Sequence, residues 1–159
     1  MSKEELVTLS SVELRRRIGT KEISPVELLD ACLERIEEVN PAVNAVTAMC
    51  VDRARKEAEA AEAAVRRGED LPLLHGLPTG IKDLEETKDL LTTYGSPLYR
   101  DYVPGYDNVM VSRVRAAGAV IVGKTNVPEF GAGSNSRNPV WGATGSMSVA
   151  SATAEPPDE

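Results

Sequence analysis

The stretch NVMVSRVRAAGAVIVG, residues 108–123, restricts the fold more than any other part of the chain. Val111, Val114 and Ala117 recur at helical spacing, and Gly118 is placed to end a helix. Ala119 to Val122 then form a continuous apolar run of β-branched character, closed by Gly123. A helix that feeds a short, wholly apolar strand implies a sheet covered on both faces, the usual setting of parallel strands. An α/β architecture is the economical reading.

Helices are expected before that point. Ser10 with Glu13 makes a capping-box pattern ahead of Val12, Leu14 and Ile18, and Gly19 stops the run. A stronger start follows, with Ser24 at the N-cap, Pro25 at the first helical position and Glu27 completing the box. Its apolar stripe is Val26, Leu29, Cys32, Leu33 and Ile36, and Asn40-Pro41 is expected to break it. Alternation at Val43, Ala45 and Thr47 suggests a short strand. A third helix, Val51 to Arg67, reads as a charged surface helix with four-apart pairs Arg53 with Glu57, Arg55 with Glu59 and Glu62 with Arg66, ended by Gly68. From Leu71 to about Asp107, prolines and glycines punctuate short apolar pieces.

Bulk properties exclude several classes. The 159 residues suffice for one modest domain, and the 25 acidic against 18 basic residues, net charge -7, argue against a nucleic-acid partner. The polar start MSKEELVTLSS lacks a secretory pattern, and no apolar run is long enough to span a membrane, so a cytoplasmic location is the default expectation. Cys32 and Cys50 lack metal-ligand spacing and read as reduced core thiols; neither a metal nor a cofactor is expected.

The chemistry centres on LHGLPTGIKDL, Leu74 to Leu84, which places Lys82 directly after a strand-like segment and before a polar turn. TTYGS at 92–96, AAGAVIVGKTNVPEFG at 116–131 and SRNPVWGATG at 136–145 follow in that order. Together these four segments resemble the amidase signature family, whose members include aliphatic and aryl amidases, fatty-acid amide hydrolases and the A subunit of tRNA-dependent amidotransferases. The resemblance runs from about Leu9 to Gly145. It implies N-terminal helices followed by the start of that family's open mixed or parallel sheet. Residues 1–145 would form the N-terminal part of an amidase domain, truncated, with a divergent and disordered tail at 146–159.

By position Lys82 matches the lysine of the family's Ser-cisSer-Lys triad. The mechanism this resemblance implies is hydrolysis of a carboxylic amide to an acid plus ammonia or an amine. A neutral Lys82 amine takes a proton, through a bridging serine, from the serine that attacks the carbonyl, and water then releases the acid. A lysine serves so only when desolvated, since its reference pKa of about 10.4 must fall by about three units, roughly 4 kcal/mol, before much of it is neutral near pH 7. Burial under a strand end is expected to supply that shift. Asp83, on the opposite face of an extended segment, is read as structural. Gly95 and Ser96 are expected to shape a turn near the site, and Lys124, Thr125 and Asn126 to follow a strand end. Asn126 and Glu129 should bond loop backbone, and His75, the single histidine, occupies a structural family position rather than a triad.

Beyond Gly145 the resemblance implies a GGSSGGS-like loop with the bridging serine, then a second glycine-rich turn with the nucleophile and oxyanion hole. This chain reads SMSVASATAEPPDE instead, and beyond Gly145 the serines Ser146, Ser148 and Ser151 lack the run of glycine neighbours that tight turns require. With both serines absent, the chain is expected to be inactive alone, and its uncovered apolar faces to invite self-association or a complementing chain. The partner implied for the full family is a small amide substrate. Alternative readings are a non-catalytic binding module, or one half of a split amidase or amidotransferase subunit.

Overall fold

The computed structural model describes residues 2–145; the expectations for the tail at 146–159 lie outside the described residues. The chain begins with a helix that the sequence pattern does not announce, α1 (Lys3–Thr8), for which Ser2 and Glu5 form a complete capping box. Helix α2 (Ser11–Gly19) is capped by the Ser10 hydroxyl, which accepts from Glu13 N at 3.2 Å. The box there stays half-formed because the Glu13 carboxylate binds Arg16 and Arg17 instead. Val12, expected on the apolar stripe, is exposed, and Leu14 and Ile18 carry the burial.

Helix α3 (Pro25–Val43) starts at Ser24 as the capping box requires, but it runs through Pro41 rather than breaking there. Pro41 sits in the last turn, so its missing N–H removes one bond near an end that is about to stop anyway. Asn44, in the left-handed region at φ 52, ends the helix. The Asn40 side chain then turns the chain, accepting from Ala45 N and Val46 N at 2.9 and 2.8 Å and donating to Val46 O at 2.8 Å. Strand β1 (Val46–Met49) follows, so the strand expected around Val43 begins later.

Helix α4 (Val51–Arg67) ends at left-handed Gly68 as expected. It is more than a charged surface helix: Ala54, Ala58, Ala61, Ala64 and Val65 form a buried stripe of mostly small side chains that permits close packing. Of the three expected pairs, Glu62 with Arg66 forms at 2.8 Å and Arg53 with Glu57 at 3.8 Å. Arg55 pairs with Asp30 of α3 at 2.5 Å, because the neighbouring helix brings a carboxylate within reach.

Strand β2 (Pro78–Lys82), helix α5 (Val109–Ala116) and strand β3 (Val120–Thr125) complete the α/β core. Asn108 caps α5, its side chain accepting from Val111 N at 2.9 Å. Gly118 takes φ 87 in the short link to β3, and a Cβ there would meet Pro72 and the His75 backbone. The sheet order is β1-β3-β2, with β2 parallel and β1 antiparallel to the central β3. Val120 and Val122 face Leu29, Ala54 and Ala58 on one side. Ile121 faces Ile81, Leu90 and Val111 on the other. The two-sided cover expected from residues 108–123 is therefore present. A separate cluster of Leu6, Leu14, Ile18, Ile23, Leu28 and Leu77 fastens the helical arm.

A two-stranded hairpin, β4 (Arg137–Asn138) with β5 (Gly142–Ala143), ends the described chain. Cys32 and Cys50 are free thiols, half-buried rather than fully within the core; burial pushes Cys32 up, and Cys50 Sγ lies 3.1 Å from Ile121 O. Beside β1, Leu33, Ile36, Met49 and Val51 line an open apolar groove of about 680 Å³. Among the described residues, no helix is long and apolar enough to cross a membrane.

Candidate active site

The segment GIKD ends β2, where alternation decides which side chains face inward. Ile81 and Asp83 are buried; Lys82, between them, is exposed. Lys82 thus lacks, within the described residues, the burial expected of it. β2 is an edge of the sheet, and the apolar cover goes to the face of Ile81.

Asp83 has the structural role read from the sequence. Its carboxylate accepts from Thr93 N at 2.9 Å, Thr93 Oγ1 at 2.5 Å and Trp141 Nε1 at 3.1 Å. Three loops are tied by this one side chain: the turn after β2, the TTYGS segment and the hairpin. A buried carboxylate tolerates its desolvation only when its oxygens are so occupied.

Gly95 and Ser96 shape a turn as expected. Ser96 N donates to Thr93 O at 2.9 Å, and Gly95, at φ 67, packs so closely that a Cβ would stand 3.1 Å from Asn138. Tyr94 and Phe130 also take positive φ, 53 and 51, and Phe130 N donates to Tyr94 O at 2.8 Å. Tyr94 donates its hydroxyl to Glu86 at 2.7 Å, and its ring packs edge-on to Tyr99 with centroids 4.9 Å apart.

The lysine that is fully buried is Lys124, on the central strand. Its Nζ donates to the Glu85 carbonyl and, at 3.1 Å, to Thr87 Oγ1. Burial draws its pKa down to about 8, against the pull of the nearby carboxylates of Asp83, Glu85, Glu86 and Asp107. Sequence reasoning placed Lys124 at a strand end without seeing this burial.

Asn126 bonds its surroundings as expected, and two further asparagines that sequence reasoning missed join it. Asn126 Nδ2 donates to Thr144 Oγ1 at 2.9 Å, while its Oδ1 accepts from Val127 N at 3.0 Å and Asn138 Nδ2 at 2.7 Å. Asn138 Oδ1 accepts from Val140 N and Trp141 N, and Asn44 Nδ2 donates to Trp141 O at 2.7 Å. The three hang the hairpin from the strand ends. The NP dipeptide at 138–139 is the only local signal that could have pointed to Asn138. Glu129 begins a single 3-10 turn, Glu129–Gly131, and its carbonyl accepts from Ala132 N at 2.9 Å. His75 is buried with Nε2 3.0 Å from Ala61 O, a structural contact. Ser146, Ser148 and Ser151 lie outside the described residues.

A two-sided α/β core, a GIKD turn tied by a buried aspartate and a strand-end hairpin define the region. The family described as Amidase matches residues 27–146, three quarters of the chain, and the chain belongs to that family. It is 44% identical over 138 residues, 87% of its length, to the A subunit of the glutamyl-tRNA(Gln) amidotransferase of Anaeromyxobacter dehalogenans (strain 2CP-C). Among solved structures it resembles a fatty acid amide hydrolase at TM-score 0.84 and 26% identity, covering 89% of this chain and 25% of that one. It also resembles a bacterial aryl acylamidase of the amidase signature enzymes at TM-score 0.80 and 28% identity, covering 86% of this chain and 29% of that one. The chain spans about 28% of the length of the curated relatives it matches.

Proposed function

We propose that this chain carries the general base, Lys82, of a carbon–nitrogen hydrolase acting on linear amides through a Ser-cisSer-Lys triad, and that it is inactive by itself. The observation that carries the reading is the place of Lys82. It closes a strand in parallel register with β3, in the GIKD segment of a family member, with its turn held by Asp83. Further chain, packed on the free edge of β2, desolvates the exposed amine and brings both serines. Lys82 then draws a proton through the bridging serine while the nucleophile attacks the amide carbonyl. The open groove of Leu33, Ile36, Met49 and Val51 supports this reading, since an unpartnered apolar surface invites a complementing chain or self-association.

The test compares the purified 159-residue chain and its Lys82→Ala variant on a simple aryl amide, before and after a complementing segment is supplied. No turnover from either chain alone, and turnover from the complemented wild type only, is the expected result. Hydrolysis by the uncomplemented wild type above the Lys82→Ala level overturns the inactivity; equal turnover of both complemented proteins overturns the role of Lys82.

One observation favours a second reading. The curated relatives are named as the A subunit of an amidotransferase, so the chain would work within a larger complex of several different chains. Recovery of a defined complex with another protein, with no free aryl-amidase activity after complementation, distinguishes it.

A further inference from the structure

We infer that Lys124 is a positioning residue, which holds the turn after β2 from the central strand and thereby sets where Lys82 stands. The inference rests on Lys82 being the base, and it adds a second lysine to that site with a different task.

The hydrogen bonds form a chain. The carbonyl of Lys82 accepts from Glu85 N at 3.0 Å. The carbonyl of Glu85 in turn accepts from Lys124 Nζ and, at 3.0 Å, from Thr87 Oγ1. Thr87 Oγ1 accepts the second Lys124 bond, so one buried amine binds two points, Glu85 and Thr87, on the far side of the turn. At its start the turn is also pinned to β3, with Asp83 N donating to Thr125 O at 3.0 Å. Lys82 and Lys124 come from adjacent positions in the parallel register, where Ile81 pairs with Lys124 and Lys82 with Thr125. The two side chains therefore leave neighbouring strands one step apart: one is exposed beyond the strand end, the other runs beneath the turn that follows it.

Burying an ammonium costs several kcal/mol unless it is hydrogen-bonded and faced by opposite charge. Here two hydrogen bonds and the charges of Asp83, Glu85, Glu86 and Asp107 offset part of that cost, and burial still outweighs them. A neutral apolar side chain would fill the same space without that cost, so a packing role alone does not account for lysine at this position. What the ammonium adds is a directed bond to the Glu85 carbonyl, whose own N–H closes the turn on the Lys82 carbonyl.

The test uses the intact 159-residue chain with 13C-labelled lysine side chains. Amide exchange is followed at Glu85, and the Lys82 ε-methylene signal is followed in wild type, Lys124→Met, Thr87→Val and Thr87→Ser. Thr87→Val replaces the hydroxyl with a methyl group of similar size and serves where Lys124→Met fails to fold. The expected result is exchange at Glu85 faster by about tenfold, with a displaced Lys82 signal, in Lys124→Met and Thr87→Val, and recovery of both in Thr87→Ser. Lys82 signals that superpose on wild type in a folded Thr87→Val overturn the positioning role. Neither readout uses turnover, so failure here leaves the base assignment of Lys82 standing, and failure of complemented turnover leaves this result intact.

Discussion

Lys82 and Lys124 stand one register step apart on neighbouring parallel strands, yet one is exposed and the other is wholly enclosed. The difference comes from alternation together with strand order: Lys124 pairs with buried Ile81, and Lys82 takes the next position. β3 is central and covered on both faces, whereas β2 is an edge whose final side chain has nothing above it among the described residues. Identical side chains thus acquire opposite surroundings from their position in the sheet.

The sharpest way to break this contrast is lysine acylation under native conditions. Exposed Lys82 should be labelled about a thousandfold faster than Lys124, whose labelling requires local opening; peptide mass mapping of a time course measures both. Comparable rates would show that β3 is not the protected centre of the sheet. Next in size is Asp83→Ala, which takes the buried acceptor from Thr93 N and Thr93 Oγ1, leaves Trp141 Nε1 only its bond to Thr93 Oγ1, and should cost roughly 3 kcal/mol in urea unfolding.

The pH dependence comes third. The folded pKa of Lys124, about 8, lies below its ordinary value of 10.5, so between these values the unfolded chain holds more protons. Stability from this group therefore rises as pH increases from about 8 to 10.5 and is flat below, by an amount on the order of 2 kcal/mol. Thermal melts of wild type against Lys124→Met across that window should differ in slope, which cancels other titrating groups. The smallest effect belongs to Lys82→Ala, expected within about 0.5 kcal/mol of wild type in this chain. A larger loss would mean that Lys82 already has a buried partner.

What the sequence disclosed was local. Ser24 and Gly68 mark helix ends, and the apolar run 119–122 marks the strand, because caps and periodicity act over a few residues. Alternation separated Lys82 from Asp83, but the expectation put the lysine inward, whereas it is Asp83 that is buried. The burial of Lys124 was not legible, because it depends on which strand becomes central, and that is settled by pairing between residues far apart in the chain. The same holds for Arg55, whose partner is Asp30, and for Asn44, whose carbonyl accepts from Thr144. Pro41 misled for the opposite reason: a reliable breaker was offset by the Asn40 side chain, which organises the exit from the helix.

The central place of β3 also fixes an order of events during synthesis. β1 and β2 hydrogen-bond to β3 and not to each other, and β3 is the last of the three to be made. Roughly 75 residues separate β1 from β3, which at ribosomal rates is about 4–15 s of translation during which β1 has no strand to join. Over that interval the helices that precede β3 can pack on one another, but the sheet can close only after Val120–Thr125 has been made.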